Sequence, residues 1–138
     1  MNLARTIARL LLGAGLIFTG TGHLTFARET FVAQVPQWIP LPVDLVVVAS
    51  GFVEVALGLA LLVLARYRVA VGWIVAAFFV AIFPGNIEQF VRGTDAFGLT
   101  TDLARGIRLL FQPLLVIWAL WSTGAWKAWR ERRRRRER

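Results

Sequence analysis

Four long apolar runs constrain the fold of this chain more than any other feature. They cover about residues 6–22, 44–64, 68–86 and 103–122, and each is close to the ~20 residues that an α-helix needs to cross a bilayer. With 57% hydrophobic residues among 138, the sequence predicts an all-α integral membrane four-helix bundle rather than a soluble enzyme. We expect residues 1–125 to form this four-helix transmembrane domain and residues 126–138 to form a basic cytoplasmic tail.

The basic residues indicate how the predicted helices are oriented. Arg5 and Arg9 lie at the start of the chain, Arg66 and Arg68 separate the second and third runs, and eight basic residues follow from Lys127 onward. The opposite side, which comprises the other two connections and the start of the fourth run, carries four basic residues mixed with acidic ones: Arg28, Arg92, Arg105 and Arg108. The positive-inside rule therefore predicts that both termini are cytoplasmic in a cell membrane, which would be the inner membrane in a bacterium.

Most of the net charge of +8 comes from the segment KAWRERRRRRER that follows the last apolar run. In a soluble protein such a charge would suggest nucleic acid, but here it adjoins a predicted membrane helix. We expect no nucleic-acid partner. The tail instead predicts contact with anionic lipid of the bilayer, where each basic residue near the surface adds roughly 1 kcal/mol.

The residue types present restrict the chemistry that this chain can carry. It has no cysteine, which excludes a thiol relay, an iron–sulfur cluster and a disulfide within the chain. His23 is its one histidine, too few for a bis-histidine haem or a three-histidine zinc site, so we expect no metal. A redox role would need a bound cofactor or a redox partner protein.

Glu54 is the one ionisable residue in the stretch 45–64. A carboxylate near the centre of a spanning helix costs roughly 2.5 to 3.5 kcal/mol, so such a residue usually faces the protein interior and marks a functional site. Ser50, Gly51 and Gly58 lie three or four residues from Glu54 and share its helix face. We predict that this face packs against protein, with Glu54 about 15 Å from the start of its helix.

Two further candidates end predicted helices on the same side of the membrane. His23 follows Thr19 and Gly20 on one helix face, although a histidine that simply reaches the lipid headgroups is an equally good interpretation. Asn86 closes the run Phe83-Pro84-Gly85-Asn86, where proline and glycine predict that the third helix ends. Freed backbone groups at that depth would be consistent with a binding pocket.

The fourth run contributes Arg108 and Gln112, which lie one helical turn apart. Arg108 could extend inward to pair with Glu54, with Gln112 as a hydrogen-bonding neighbour. The alternative is that Arg105 and Arg108 reach outward to the headgroups, which is the commoner fate of arginine near a helix end. The predicted ligand-binding site consists of His23, Glu54, Asn86, Arg108 and Gln112.

These residues, in this order and spacing, resemble the DoxX and DoxX-like family of small four-helix membrane proteins over nearly the whole chain except the basic tail. The matching elements are Gly20, His23 and Phe26, the segment VPQWIPLP, Ser50-Gly51 with Glu54 and Gly58, the run FPGNI, and the run RLLFQ before WALW. Family members more often have FPANI and RLPLQ, so Gly85 and Leu110 depart from the pattern. The resemblance implies a four-helix membrane fold. It also implies an association with quinone-linked oxidoreductase subunits and with complexes of thiol and oxidative-stress homeostasis.

Two functional hypotheses remain open at this point. In the first, the chain is a subunit of a membrane redox complex that binds a quinone or another small amphipathic molecule, and His23 and Glu54 exchange protons. In the second, it is a non-catalytic scaffold that recruits partner proteins. Proton-coupled transport is less favoured, because four helices leave little room for alternating access. Gly13 and Gly15 would suit either a monomer or a dimer.

Overall fold

Helices make up nearly all of the described chain in the computed structural model. The description covers residues 2–25, 35, 38–92 and 102–138, and the side chains of residues 85, 86, 88–92, 102, 104, 105 and 108 lie outside it. No strand occurs in these ranges, so the all-α prediction is confirmed. The helices are α1 Leu3–Leu24, α2 Val43–Val63, α3 Arg68–Arg92, α4 Asp102–Ser122 and α5 Ala125–Arg136, with a 3-10 turn Ala65–Tyr67 between α2 and α3.

Within the described ranges, three segments are long and apolar enough to cross a membrane: Leu3–Leu24, Val43–Val63 and Ala65–Pro84. Large apolar side chains point away from the protein along them, since Phe18, Phe52 and Ile74 are 66%, 62% and 55% exposed. Helices that are apolar on their outer faces as well as their inner ones are typical of membrane spans. The chain therefore has the features of a membrane protein, and α4, at Asp102–Ser122, occupies the predicted fourth run.

The apolar core lies at the end of the molecule that carries the 3-10 turn, here called the turn end. Helix α1 packs along α2 and α3 packs along α4, while contacts from α1 to α4 and from α2 to α3 connect the two pairs. The opposite end, where α1 finishes at Leu24, is called the histidine end. The buried core consists of Leu12, Leu16, Leu61, Val71, Val75, Ala76, Phe79 and Ala119.

Helix α3 is longer than predicted. The prediction that it closes at Phe83-Pro84-Gly85-Asn86, near residue 86, is wrong, because the helix continues through Pro84 to Arg92. Proline removes only one backbone donor, and membrane helices tolerate that loss where neighbouring groups satisfy the freed carbonyl. Helix α4 likewise continues through Pro113.

The basic tail is helical, and its basic side chains are exposed. Gly124 adopts a left-handed conformation, with φ 75°, between α4 and α5. This turn bends the chain by 67° between Leu109–Ser122 and Ala125–Arg136. Ala125 is fully buried, and α5 contacts both α3 and α4.

Candidate functional site

Close backbone contact between α1 and α2 positions the candidate site. A Cβ atom at Gly51 would lie 2.7 Å from Cβ of His23 and 3.0 Å from the carbonyl oxygen of Gly20. The helices can approach this closely because neither Gly20 nor Gly51 has a side chain. The prediction that the face of α2 with Glu54 packs against protein is confirmed, since Glu54 is only 5% exposed.

A second glycine pair continues the same contact toward the turn end. A Cβ atom at Gly58 would lie 2.6 Å from the carbonyl oxygen of Gly13, so Gly13 faces α2 within the chain. Gly15, in contrast, has open space where a Cβ would be placed. Of these two glycines, only Gly15 leaves its helix face open to another molecule.

His23 and Glu54 are brought together by this packing. The Nε2 atom of His23 lies 3.6 Å from Oε2 of Glu54, a distance suited to an ion pair and slightly long for a hydrogen bond. His23 is 8% exposed, so its ring lies between helices. The alternative in which His23 reaches outward to lipid headgroups is therefore wrong, because the ring turns toward α2.

The other ring nitrogen of His23 indicates where the imidazole carries its proton. Nδ1 lies 2.9 Å from Oγ of Ser50 and 3.2 Å from the carbonyl oxygen of Val47. The Ser50 hydroxyl donates to the same Val47 carbonyl at 2.9 Å, which leaves its oxygen free to accept. A carbonyl can only accept, so both contacts favour a proton on Nδ1 of His23. Nε2 is then the acceptor nitrogen of the ring, and it faces the carboxyl group of Glu54.

Thr19, which was not among the predicted site residues, adds a hydroxyl group to this pair. Its Oγ1 donates to Oε2 of Glu54 at 3.1 Å and is also 3.2 Å from the carbonyl oxygen of Leu16. Thr19 lies one turn before His23 on the same face of α1, and that spacing was the available signal. Ser50 was likewise visible as a neighbour of Glu54 but was not assigned a contact with His23.

Gln112 belongs to the other helix pair. It is 1% exposed, and its Nε2 donates to the carbonyl oxygen of Phe79 in α3 at 2.6 Å. Its described hydrogen bond thus joins α4 to α3 rather than to the His23–Glu54 pair. A buried amide without a partner is unfavourable, and in this contact the partner is a backbone carbonyl.

Asn86 and Arg108 are the remaining predicted site residues. Asn86 lies in α3 and Arg108 lies in α4, but both side chains, like that of Arg105, fall outside the described residues. The predicted pairing of Arg108 with Glu54 therefore stays a prediction.

Arg9, which was predicted to lie in a cytoplasmic segment, is a buried cation. It is 6% exposed, and its Nη1 donates to the carbonyl oxygen of Leu61 in the last turn of α2. The last four carbonyls of a helix have no partner within it, so the arginine satisfies one of them. Arg9 lies four residues before Gly13 and therefore on the face of α1 that packs against α2. This spacing could have predicted that Arg9 is buried.

A groove lies away from His23, at the turn end. It has a volume of about 650 Å³ and is formed where α1 begins and where α4 meets α5.

No group of three His, Asp or Glu side chains that could hold a metal ion occurs among the described residues. The His23–Glu54 pair consists of two titratable groups, whereas the groove has a mainly cationic polar lining.

Comparison with known proteins gives a family without an assigned activity. The model of a domain of unknown function, DUF8561, matches residues 12–123, which include every predicted site residue. No curated protein and no solved structure gave a match.

Proposed function

This chain belongs to the DUF8561 family, and we propose that it is a four-helix integral membrane protein that binds a quinone or a similar small amphipathic molecule beside His23 and Glu54. Both termini lie in the cytoplasm, so the histidine end faces the outer leaflet. The resemblance to DoxX proteins supports a place as a subunit in a membrane redox complex, with electrons supplied by a partner protein.

The membrane arrangement is supported by the three apolar spanning helices and by the distribution of charge. Helix α4 makes the fourth crossing in this proposal, because it packs along α3 and its 21 residues are enough to cross the bilayer. Arg66, Arg68 and the basic residues of α5 all lie at the turn end, which the positive-inside rule assigns to the cytoplasm.

The observation that carries the binding proposal is the buried pair of His23 and Glu54. Two titratable groups lie 3.6 Å apart between helices, at 8% and 5% exposure. Ionisable groups at membrane depth are expensive and mark proton or ligand sites more often than packing contacts. As electrons from a partner protein reduce the quinone, the protonated form of Glu54 can supply a proton to a quinone oxygen and recover one from the outer surface.

The scaffold hypothesis has an observation of its own. The described contacts of Thr19, His23 and Ser50 all join groups within α1 and α2, so the same network can hold the two helices together without a ligand. Interhelical hydrogen bonds in membranes contribute about 0.6 kcal/mol each on average, enough to favour one packing arrangement. In this case the protein would recruit partners through other surfaces.

Glu54→Gln separates the two functions. Glutamine keeps the size of the side chain and an oxygen that can accept from Thr19, but it cannot exchange a proton. We would extract wild type and Glu54→Gln from native membranes in mild detergent, analyse co-purifying small molecules by mass spectrometry, and titrate both with a short-chain quinone. Asp44→Asn is the matched control, because it makes the same chemical change at an exposed site on α2.

Binding is supported if a quinone or one defined amphiphile co-purifies with wild type and with Asp44→Asn but is lost from a folded Glu54→Gln protein. Helical circular dichroism and a single elution peak would establish folding. If none of the three proteins retains anything beyond bulk lipid, the scaffold function is favoured and the quinone proposal is wrong.

A further inference from the structure

The groove at the turn end has a strongly cationic wall. Lys127, Arg130 and Arg134 line it from α5, where their spacing of three and four residues places them on one helix face. Arg5 lines it from the first turn of α1. Glu131 is the one acidic residue among the lining residues, so four positive charges face one negative charge.

Arg5 adds a cationic donor at the wall of this groove. Its Nε atom is buried and has no hydrogen-bond partner among the described residues. Its guanidinium carbon lies 5.8 Å from the centre of the Trp121 ring, which holds the group at the groove wall. A buried donor without a partner is unfavourable, and an anionic oxygen would satisfy it with a charge-assisted hydrogen bond.

The rest of the groove is apolar. Ile117, Leu120 and Trp121 of α4 line it, and Ile117 is 60% exposed. Cations at one side and aliphatic and aromatic groups at the other suit a ligand that has an anionic head and a hydrocarbon chain. The volume of about 650 Å³ lies within the usual range for a bound small molecule.

The bend at Gly124 places the groove at the level of lipid headgroups. If α4 crosses the bilayer, α5 runs at 67° to it and lies close to the membrane plane. Helix α5 cannot itself enter the hydrocarbon, because burying its many arginines in lipid is strongly unfavourable. Trp126, which is 49% exposed, is suited to the same interfacial level.

We propose that this groove is a specific site for one anionic phospholipid of the adjacent leaflet. Its phosphate lies among Arg5, Lys127, Arg130 and Arg134, and an acyl chain runs along Ile117. The site depends on the membrane arrangement proposed above but not on the quinone hypothesis. It differs from general attraction of the tail to a charged surface, because Arg5 and α4 form part of it.

A charge-matched pair of variants tests this. Arg5→Gln with Arg130→Gln removes two positive charges from the groove, and Arg132→Gln with Arg135→Gln removes two from parts of α5 outside it. We would measure binding of phosphatidylglycerol and of phosphatidylcholine to the full chain in detergent by native mass spectrometry. Wild type should retain one phosphatidylglycerol, and the groove variant should bind it about tenfold more weakly, while the control changes less than about twofold.

Ile117→Trp keeps every charge and fills the apolar side of the groove. It should also lose the single phosphatidylglycerol while remaining folded by circular dichroism, which separates the site from an effect of charge or of unfolding. Equal weakening in both double variants would show diffuse attraction and overturn the proposal. Equal binding of phosphatidylcholine, or displacement of the lipid by millimolar inorganic phosphate, would overturn it as well.

Discussion

The two ends of this protein handle polar groups in opposite ways. At the histidine end, Glu54 and His23 are 5% and 8% exposed and make their described contacts with neighbouring helices. At the turn end, the cations of α5 line an open groove, and the buried Nε of Arg5 has no described partner. Helix packing buries the polar groups of the histidine end, whereas the bend between α4 and α5 leaves a groove at the turn end.

Glycine produces both arrangements by different means. Gly20 and Gly51 lack side chains, so two backbones meet and enclose the polar groups beside them. Gly124 instead supplies a left-handed turn that sends α5 away from α4. Glycine thus buries polar groups where it lets two helices touch, and it forms a groove where it lets the chain bend.

The largest expected effect comes from Gly51→Ala at the closed end. The new Cβ would lie 2.7 Å from Cβ of His23, so the helices must separate. We expect the free energy of unfolding in mixed detergent micelles to fall by about 1 to 3 kcal/mol. Gly15→Ala is the control: it meets nothing within 4 Å and should leave stability unchanged or slightly raised. Similar losses in both variants would contradict the close contact.

Gly124→Ala tests the open end. No atom lies within 4 Å of the added Cβ, so any effect arises from the backbone, whose φ of 75° is unfavourable for alanine by about 1 to 2 kcal/mol. We expect a broader distribution of distances between spin labels at Leu110 and Arg135, measured by pulsed electron resonance. An unchanged distribution, matching that of the same labels in Gly15→Ala, would show that the bend does not depend on this glycine.

Two tryptophans on α4 contrast a half-buried and an exposed environment at the turn end. Trp118 donates from Nε1 to the carbonyl oxygen of Ala8 at 2.8 Å, whereas Trp121 is 43% exposed at the groove. Trp118→Phe should lower the free energy of unfolding by about 1 kcal/mol through loss of this bond. Trp121→Phe should change stability less but weaken phosphatidylglycerol binding. If Trp121→Phe lowered the free energy of unfolding more than Trp118→Phe did, the structural role would belong to Trp121.

The smallest expected effect concerns the hydroxyl of Thr19. Thr19→Val keeps the shape of the side chain and removes the bond to Glu54, so we expect a loss of about 0.6 kcal/mol. In Thr21→Val the lost bond goes to the carbonyl oxygen of Ile17 on the same helix, and the side chain is exposed. Chemical denaturation of both variants should therefore show the larger loss for Thr19→Val. No difference between them would remove Thr19 from the site.

Much of the histidine end could be predicted from helical spacing. Glu54 shares a face with Gly51 and Gly58, and a carboxylate on a small-residue face must turn toward protein. The same spacing on α1, applied to Thr19 and His23, would have identified the hydroxyl contact. What spacing could not supply was the partner of Gln112, because the contact with Phe79 joins residues far apart in sequence.

The sequence alone determined that this chain is helical and apolar enough for a membrane, because the length and hydropathy of each run are local properties. It also determined that Glu54 faces protein. Only the tertiary structure decided that Arg9 bonds to the end of α2, that α3 continues beyond Pro84, and that α5 turns by 67° to form a groove with Arg5. The Arg9 bond depends on which groups meet across two helices, and the bend depends on the conformation of Gly124. The hydrophobic periodicity of a single segment contains neither kind of information.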